Sequence, residues 1–396
     1  MSIAGIIASV DAEMIYRHIL RLEGPKNPID TPERLNEAAD YILSEFKEYG
    51  LEAKEQTFRL EGFDAPFRNI EGATGEPSGP ELLIVSHYDT VRDCPGADDN
   101  ASGVAVMLEA ARVLSRQEGV RNIRFVSFTL EENNPALLLK RRRVAQSLGL
   151  VDEHQRYVSM HANDMMKKID DMWSEGWDLG KDIDTIFSEA CERLGPELNE
   201  GERECVQRLG ELYKGISAVS SPGKTGLVGS NFWVEQAVRN KRQLLGTVCL
   251  DAVGYISKKD HSQTLPRGMD ASMFETHNVK SIFVGNFLAC IGDAKSGRLV
   301  ESFCNQCRTE AISLPYACLL VPFSYEEIAQ RMSNLIRSDH APFWRAGIPA
   351  LFLTDSAEYR NPYYHTQADT IEKLDFDFLA KICKAISGMA IDLPST

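Results

Sequence analysis

The segment "LLIVSHYDTV" (residues 82–91) joins a continuous apolar run to a histidine and an aspartate that stand two positions apart. An unbroken run such as "LLIVS" (82–86) is typical of a strand covered on both faces, like the inner strands of parallel sheets. The run therefore predicts an interior strand that ends near His87. A single His-x-Asp pair after a strand is most often part of an exposed loop. The meaning of His87 and Asp89 therefore depends on whether the rest of the chain supplies partners for them.

Strands and helices alternate along the chain around this segment. Helical periodicity with a Thr-Pro-Glu start and a Gly stop predicts a helix over 31–50, and a second helix is predicted over 101–117. Further strands are predicted at 122–130, at 243–251, within 281–292 and at 348–354. This alternation indicates an α/β fold with a mostly parallel central sheet.

The composition excludes several classes of function. The chain has 396 residues and a formal net charge of −15, which argues against nucleic acid or an anionic membrane surface as a partner. No apolar run is long enough to span a bilayer, and the N-terminus lacks the basic start of a signal peptide. Nine scattered cysteines suit a reducing compartment, so we expect a cytoplasmic protein. Cys304 and Cys307 form one C-x-x-C without a second pair, which favours core thiols on a helix over zinc or redox chemistry.

Polar side chains with metal-binding chemistry follow several of the predicted strands. The active sites of open α/β sheets lie beyond the carboxyl ends of the strands, so we expect these side chains to converge. Each has an ordinary explanation alone, such as a helix cap for Asp99 or a solvated surface for the glutamate pair. Their occurrence at successive strand ends favours a shared site. The residues are His87, Asp89, Asp98, Asp99, Glu131, Glu132, Asp251 and His365.

Imidazole and carboxylate ligands together suit a pair of divalent first-row ions, most often zinc. Two dications held close together need an anion between them, so one carboxylate must bridge. Ions of this kind activate a water molecule for attack on a carbonyl group, and a carboxylate that binds no metal then takes the proton. Glu131 and Glu132 cannot both face a site from a regular strand, because successive strand side chains point to opposite faces. We therefore expect them where the strand ends and turns.

Six motifs, in this order, resemble those of the dizinc metallo-exopeptidases of peptidase clan MH, which include bacterial leucyl-type aminopeptidases. The resemblance covers about 1–134 and 225–396. It implies a three-layer α/β/α, phosphorylase/hydrolase-like fold with a sheet that is mostly parallel in the centre. It also implies an aminopeptidase that uses two Zn²⁺ ions, or another divalent first-row metal, on short peptides or small amides. The motifs are "HYD", "GADDNASG", "EE", "LDAVGY", "SDHAPFW" and "YYHTQADT".

The resemblance also implies a role for each site residue. His87 and Glu132 would each hold one or other metal, Asp99 would bridge, and Asp251 and His365 would bind different metals. Glu131 would be the general base, and Asp89 would hold the ring of His87. Asp98 remains an alternative to Asp99, because spacing alone allows either. A non-proline cis peptide bond is expected after Asp99. Asp339 and His340 are expected near the site but not as ligands, and Tyr255, Tyr363 and Tyr364 are weaker candidates for oxyanion donors.

The chain departs from the family pattern after Glu132. The Glu pair is normally followed closely by a "GLxGS" turn and a helix, but here "GLVGSNFW" arrives only at 226–233. Residues 135–224 therefore form an inserted helical subdomain, which we expect to act as a lid over the pocket or as a contact with a second subunit. An apolar stripe of Val158, Met165, Ile169, Met172 and Trp173 predicts a packing face there. The basic run "KRRR" (140–143) is ordinarily solvated, but beside an active site it could attract an anionic end of a substrate.

Alternatives of other classes remain open. A carboxypeptidase, or an amidohydrolase acting on amino-acid conjugates, would share the same fold and differ in the charge at the end of its pocket. A single-zinc enzyme that resembles glutaminyl cyclases and transfers acyl groups would contain one metal per chain. A non-catalytic binding module would have lost the ligands, which are all present here.

Overall fold

A computed structural model describes residues 3–117 and 119–393 of the chain. Residues 1–2, 118 and 394–396, which the sequence analysis includes in the catalytic region, lie outside the described residues. Within the described part, the strands are β1 (Glu52–Phe58), β2 (Phe67–Ala73), β3 (Glu81–His87), β4 (Ile123–Phe128), β5 (Leu244–Leu250), β6 (Glu275–His277), β7 (Leu288–Gly292), β8 (Tyr316–Leu320) and β9 (Ala350–Thr354).

All nine of these strands form one sheet in the order β1-β2-β4-β3-β5-β9-β7-β8-β6. Its centre is parallel, because β3 pairs in parallel with β4 and β5, and β5 pairs in parallel with β9. Antiparallel pairs join β2 to β4 and β9 to β7, so the direction changes only towards the edges. The mostly parallel α/β sheet expected from the sequence is thus confirmed.

Two layers of helices cover the sheet. The helices are α1 (Ile3–Ala8), α2 (Ala12–Leu22), α3 (Pro32–Glu48), α4 (Gly103–Ser115), α5 (Pro135–Ser147), α6 (Met160–Asp178), α7 (Ile183–Leu194), α8 (Glu200–Leu212), α9 (Val228–Arg239), α10 (Gly297–Arg308), α11 (Tyr325–Arg331), α12 (His340–Arg345) and α13 (Phe376–Asp392). Alternate residues of β3 explain the layers: Leu82 and Ile84 join the core beneath α2, α3, α4, α10 and α13, whereas Leu83 and Val85 join the core beneath α9, α11 and α12. A strand buried on both faces must be apolar throughout, as "LLIVS" is.

Helices α5 to α8 lie between β4 and α9 in the chain and have a hydrophobic core of their own. Met165 and Ile169 of α6 are buried in it, and Met172 and Trp173 pack against it as half-buried side chains. Val158 is 60% exposed and precedes the first residue of α6, so its place in the predicted stripe is wrong. The helix begins only after Ser159, because the Ser159 side chain accepts the backbone N–H of Ala162 and caps α6.

Cys304 and Cys307 are both buried on α10 and belong to the main core. All nine cysteines are free thiols. Among the described helices, none combines the length and the hydropathy needed to cross a bilayer.

Candidate metal centre

The predicted site residues come together at the carboxyl edge of four neighbouring parallel strands. His87 is the last residue of β3, Asp251 directly follows β5, and Glu131 and Glu132 follow β4 after a short turn. Asp99 lies in the loop after β3, and His365 lies in the loop after β9. The edge is shared because β4, β3, β5 and β9 are adjacent in the sheet.

The side chains form two groups, each compact enough to hold one metal ion. In each group the nearest nitrogen and oxygen atoms all lie within 4.8 Å of one another. Each group combines one imidazole with two carboxylates, a donor set that suits zinc and other first-row divalent ions. The first group is His87, Glu131 and Asp251, and the second is Asp99, Glu132 and His365.

Asp99 lies between the two groups. Its Oδ1 is 3.2 Å from Nε2 of His87, and its Oδ2 is 3.1 Å from Nε2 of His365. One carboxylate therefore presents a separate oxygen to each imidazole, which is the arrangement that a bridging ligand needs. Glu132 Oε2 lies 3.2 Å from Nε2 of His365, whereas Glu132 Oε1 is buried and has no hydrogen-bond partner in the described structure. A buried acceptor without a donor fits a cation.

Asp98 faces away from both groups. Its carboxylate accepts hydrogen bonds from the backbone N–H of Gly254 (2.8 Å) and from Nδ2 of Asn361 (2.7 Å). The sequence analysis missed Asp369, whose carboxylate accepts the backbone N–H groups of Asp98 (2.9 Å) and Asp99 (3.2 Å). The peptide bond between Asp99 and Asn100 is cis, as the resemblance implied.

The Glu pair lies in a turn beyond β4. Leu130 has a φ of 59°, a left-handed conformation that redirects the chain after the strand. Asp89 accepts the backbone N–H groups of both Glu131 (3.0 Å) and Glu132 (3.2 Å) through its carboxylate. The carboxylate is 3.7 Å from Nδ1 of His87, and the Asp89 carbonyl oxygen is nearer, at 3.3 Å. The geometry differs from the expected one because β3 ends at His87, so Asp89 is not on the strand. Its carboxylate fixes the glutamate turn.

The "GLVGS" segment returns to this same turn after the inserted helices. The backbone N–H groups of Leu227 and Val228 donate to the carbonyl oxygens of Glu131 (2.7 Å) and Leu130 (2.9 Å). At the base of the insertion, the N–H of Asn134 donates to the carbonyl oxygen of Thr225 at 2.7 Å. The two ends of the insertion therefore meet beside the glutamate pair.

The crowding of carboxylates shifts the pKa values of the site. Burial raises the pKa of Glu131 well above its usual range, and burial together with the charge of Asp99 raises the pKa of Glu132 to about 7. Burial would lower the pKa of His87, but Glu131 and Asp251 raise it well above its usual value. These carboxylates repel one another in a buried site. A bound cation would relieve that repulsion.

The chain matches the sequence profile of Peptidase family M28 over residues 69–283 and 310–390. The chain belongs to this family. It is 22% identical to the protein YfbL of Escherichia coli (strain K12) over 386 residues, which is 94% of this chain and 85% of that protein.

Two solved structures are similar in fold to this M28 peptidase. The Legionella pneumophila LapA aminopeptidase has a TM-score of 0.59 and 17% identity, with 100% of this chain and 75% of that one covered. The Porphyromonas gingivalis glutaminyl cyclase has a TM-score of 0.54 and 17% identity, with 97% of this chain and 99% of that one covered.

The metal centre of this M28 peptidase opens into a cavity of about 680 Å³. One part of its wall is apolar and includes Phe274, Ile282 and Phe287. Side chains of α6, including Trp173 and Trp177, also line the cavity. Helix α6 of the predicted insertion therefore lines the same cavity as the candidate metal-binding residues.

The other residues that the sequence placed near the site are Asp339, His340 and three tyrosines, and none of them belongs to either group of candidate ligands. Asp339 is fully buried, and neither carboxylate oxygen has a hydrogen-bond partner in the described structure; it occupies the N-cap position of α12 without capping it. His340 Nε2 donates to the Leu335 carbonyl oxygen at 2.7 Å, and His340 belongs to neither group. Tyr364 lines the cavity and stacks on His365 at 3.8 Å, whereas Tyr255 and Tyr363 pack edge to face with each other.

Proposed function

We propose that this M28 peptidase is a zinc-dependent exopeptidase that removes the N-terminal residue from short peptides. The observation that carries this proposal is the position of Asp99 between the two groups of ligands, with one carboxylate oxygen towards each imidazole. Zinc suits the donor set, and two ions per chain correspond to the two groups. The similarity in fold to the LapA aminopeptidase also supports the proposal.

The ions would supply two kinds of chemistry, a lowered pKa for a water molecule and polarisation of the scissile carbonyl group. Glu131 takes the proton from that water and passes it to the amine that leaves. Asp89 supports this role because its carboxylate holds the backbone of the glutamate turn, which fixes the position of both carboxyl groups. Glu131 Oε2 lies 3.8 Å from Nε2 of His87, within the first group of side chains. Glu131 therefore ligates a metal or acts as the base, and we assign it the base because Asp251 and Asp99 already accompany His87.

The cavity supports a small substrate with an apolar terminal residue. Its apolar wall, with Phe274, Ile282 and Phe287, suits an uncharged side chain. Carboxylate oxygens at the site can accept hydrogen bonds from a free terminal ammonium group. Side chains of α6 also line the cavity and narrow the space for a substrate, which favours short peptides over folded proteins as substrates.

Glutaminyl cyclase-like acyl transfer with a single zinc is the second candidate, and the similar fold of the Porphyromonas gingivalis enzyme favours considering it. The two candidates differ in metal content and in products. A single-metal enzyme has no use for a second group of ligands, whereas His87 and Asp251 lie 3.4 Å apart beside Asp99 here.

Metal analysis and blocked dipeptides test the proposal together. We expect about two zinc ions per chain, loss of activity with chelator, and recovery on adding zinc. We also expect hydrolysis of a C-terminally amidated dipeptide and no hydrolysis of an N-acetylated one. Hydrolysis of only the N-acetylated dipeptide would make the enzyme a carboxypeptidase. One zinc per chain with cyclisation of an N-terminal glutamine would favour the second candidate.

A further inference from the structure

A second cavity, of about 460 Å³, adjoins the metal centre on the side of the inserted helices. Trp173 and His365 line both this cavity and the larger one, so the two cavities adjoin at these side chains, and His365 of the second group of candidate ligands belongs to both. The two differ in character. The larger one has an extended apolar wall and contains the guanidinium group of Arg337, which is paired with Glu358. The smaller one contains the guanidinium group of Arg141 on α5.

Several contacts fix Arg141 in the wall of the smaller cavity. Its Nη2 donates to Oδ1 of Asp170 at 2.7 Å, and its guanidinium carbon lies 5.7 Å from the ring centre of Trp173. Tyr213 lines the same cavity. A guanidinium carries five N–H donors in a planar fork, so one bond to Asp170 leaves donors for a second carboxylate.

The other members of the basic run 140–143 face elsewhere. Lys140 pairs with Glu61 at 3.2 Å, and Arg142 pairs with Asp30 through both of its terminal nitrogens, at 3.1 and 2.7 Å. Arg143 is exposed. Arg141 is therefore the member of the run whose side chain lines a cavity beside the metal centre.

We propose that Arg141 binds the terminal carboxylate of a short peptide on the leaving-group side of the scissile bond. The inference rests on the proposed function and makes it narrower, because the preferred substrates become dipeptides with a free C-terminal carboxylate. Arginine and carboxylate match in charge and in planar geometry, and such pairs form two parallel hydrogen bonds. The insertion then supplies a recognition residue as well as a wall.

The different linings of the two cavities set the orientation in which a dipeptide binds. The apolar wall of the larger cavity accepts the side chain of the N-terminal residue, and the carboxylates at the metals face its ammonium group. The part of the substrate beyond the scissile bond must then enter the other cavity, where Arg141 lies. In a dipeptide that part is one residue with a free carboxylate, so both charged ends of the substrate have partners.

The experiment compares two substrates that differ only at the C-terminus, leucylglycine and leucylglycinamide. We expect the wild-type enzyme, loaded with zinc, to prefer the free carboxylate. Arg141→Gln should lower kcat/KM for leucylglycine by about 10- to 100-fold, chiefly through KM, because the lost bonds are made in both the ground state and the transition state. Its kcat/KM for leucylglycinamide should stay close to the wild-type value. Arg143→Gln, an exposed arginine of the same helix, is the matched control and should resemble the wild type on both substrates.

Thermal unfolding checks that each variant is folded. Arg141→Lys gives a second measurement if the glutamine variant does not fold, because it keeps the charge without the fork and should retain only part of the preference. The inference is overturned if the wild type shows no preference for the free carboxylate, or if either Arg141 variant keeps the full preference. Failure of the wild type to hydrolyse either compound would instead overturn the proposed function, and the inference with it.

Discussion

At the residue scale, the neighbouring aspartates Asp98 and Asp99 have different partners and therefore different roles. Asp99 lies between two imidazoles, whereas Asp98 accepts hydrogen bonds from Gly254 and Asn361. We predict that Asp99→Ala loses both metal ions. Asp98→Ala should keep close to two ions but lower the free energy of unfolding by about 1–3 kcal/mol, because it leaves two buried donors unpaired. Metal content, measured by mass spectrometry, and denaturant unfolding distinguish the two variants. A normal metal content in Asp99→Ala would show that another residue bridges the two ions.

Glu131 is tested by a change that preserves its shape. Glu131→Gln removes the proton acceptor, so we expect kcat to fall by about 10²–10⁴-fold while the zinc content stays the same. If Glu131 is a metal ligand instead, the variant will lose zinc in proportion to activity. Activity on an amidated dipeptide, measured beside metal content on the same sample, separates the two roles.

His18 makes stability depend on pH. Burial lowers the pKa of His18 to about 4, and its ring bonds to the hydroxyl groups of Tyr41 (2.7 Å) and Tyr49 (3.2 Å). Protonation therefore favours the unfolded chain, where the pKa is near 6.5. The stabilisation from His18 should be complete above that pH, decline as the pH falls and level off below about 4, a total on the order of 3 kcal/mol. The stability difference between wild type and His18→Gln should shrink between pH 7 and 4.5; a constant difference would contradict this.

The convergence of the candidate ligands could be predicted from the sequence because each follows a recognisable strand, and metal binding needs those residue types. The contacts of Asp369 with Asp98 and Asp99 could not, although Asp369 lies within the motif "YYHTQADT", because its hydrogen bonds join residues about 270 positions apart in the chain. Asp89 was recognised from its motif, but the partners of its carboxylate depend on where β3 ends. The position at which a strand ends therefore decides which groups the side chains just beyond it contact.

At the element scale, the start of α9 is packed directly against the end of β4. A Cβ on Gly229 would lie 2.2 Å from the carbonyl oxygen of Thr129 and 2.5 Å from Oδ1 of Asn69. We predict that Gly229→Ala costs about 1–3 kcal/mol, because backbone must move, and that it lowers kcat by shifting the glutamate turn. Gly210→Ala in α8 is the matched control: its Cβ would lie 3.4 Å from Phe187 Cβ, so it should be neutral or stabilising.

Denaturant unfolding and kcat on an amidated dipeptide measure both variants. Equal changes in the free energy of unfolding and in kcat for the two variants would show that the contact between α9 and β4 does not control the position of the glutamate turn. The family resemblance implied a helix after "GLVGS". It could not show that this backbone donates hydrogen bonds to Leu130 and Glu131, because those bonds join segments separated by the whole insertion.

At the scale of the whole molecule, the insertion is attached to the rest of the chain at several points. Arg142 pairs with Asp30, and the Ser333 hydroxyl donates to the carbonyl oxygen of Trp177 at 2.6 Å. A Cβ on Gly180, after α6, would lie 2.4 Å from the carbonyl oxygen of Gln330, so the backbones are in close contact there. The contacts of Trp177 and Gly180 hold the C-terminal end of α6 beside residues 330–333, and the pair of Arg142 and Asp30 attaches α5. The helical nature of 135–224 was predictable from its periodicity, whereas its docking depends on residues of the catalytic region that no local pattern marks.

The lid role of the insertion is tested by removing it. Asn134 and Thr225 are joined by a 2.7 Å backbone hydrogen bond, so a short Gly-Ser linker in place of 137–222 can close the gap without moving the glutamate turn. C-terminally amidated substrates should be used, so that loss of Arg141 does not affect the comparison. If Trp173 and Trp177 limit access, the ratio of kcat/KM for a long peptide amide to that for a dipeptide amide should rise by about tenfold or more, because extended substrates no longer meet the α6 wall. A folded deletion variant that binds zinc and keeps the wild-type ratio would show that the insertion does not select substrates by length.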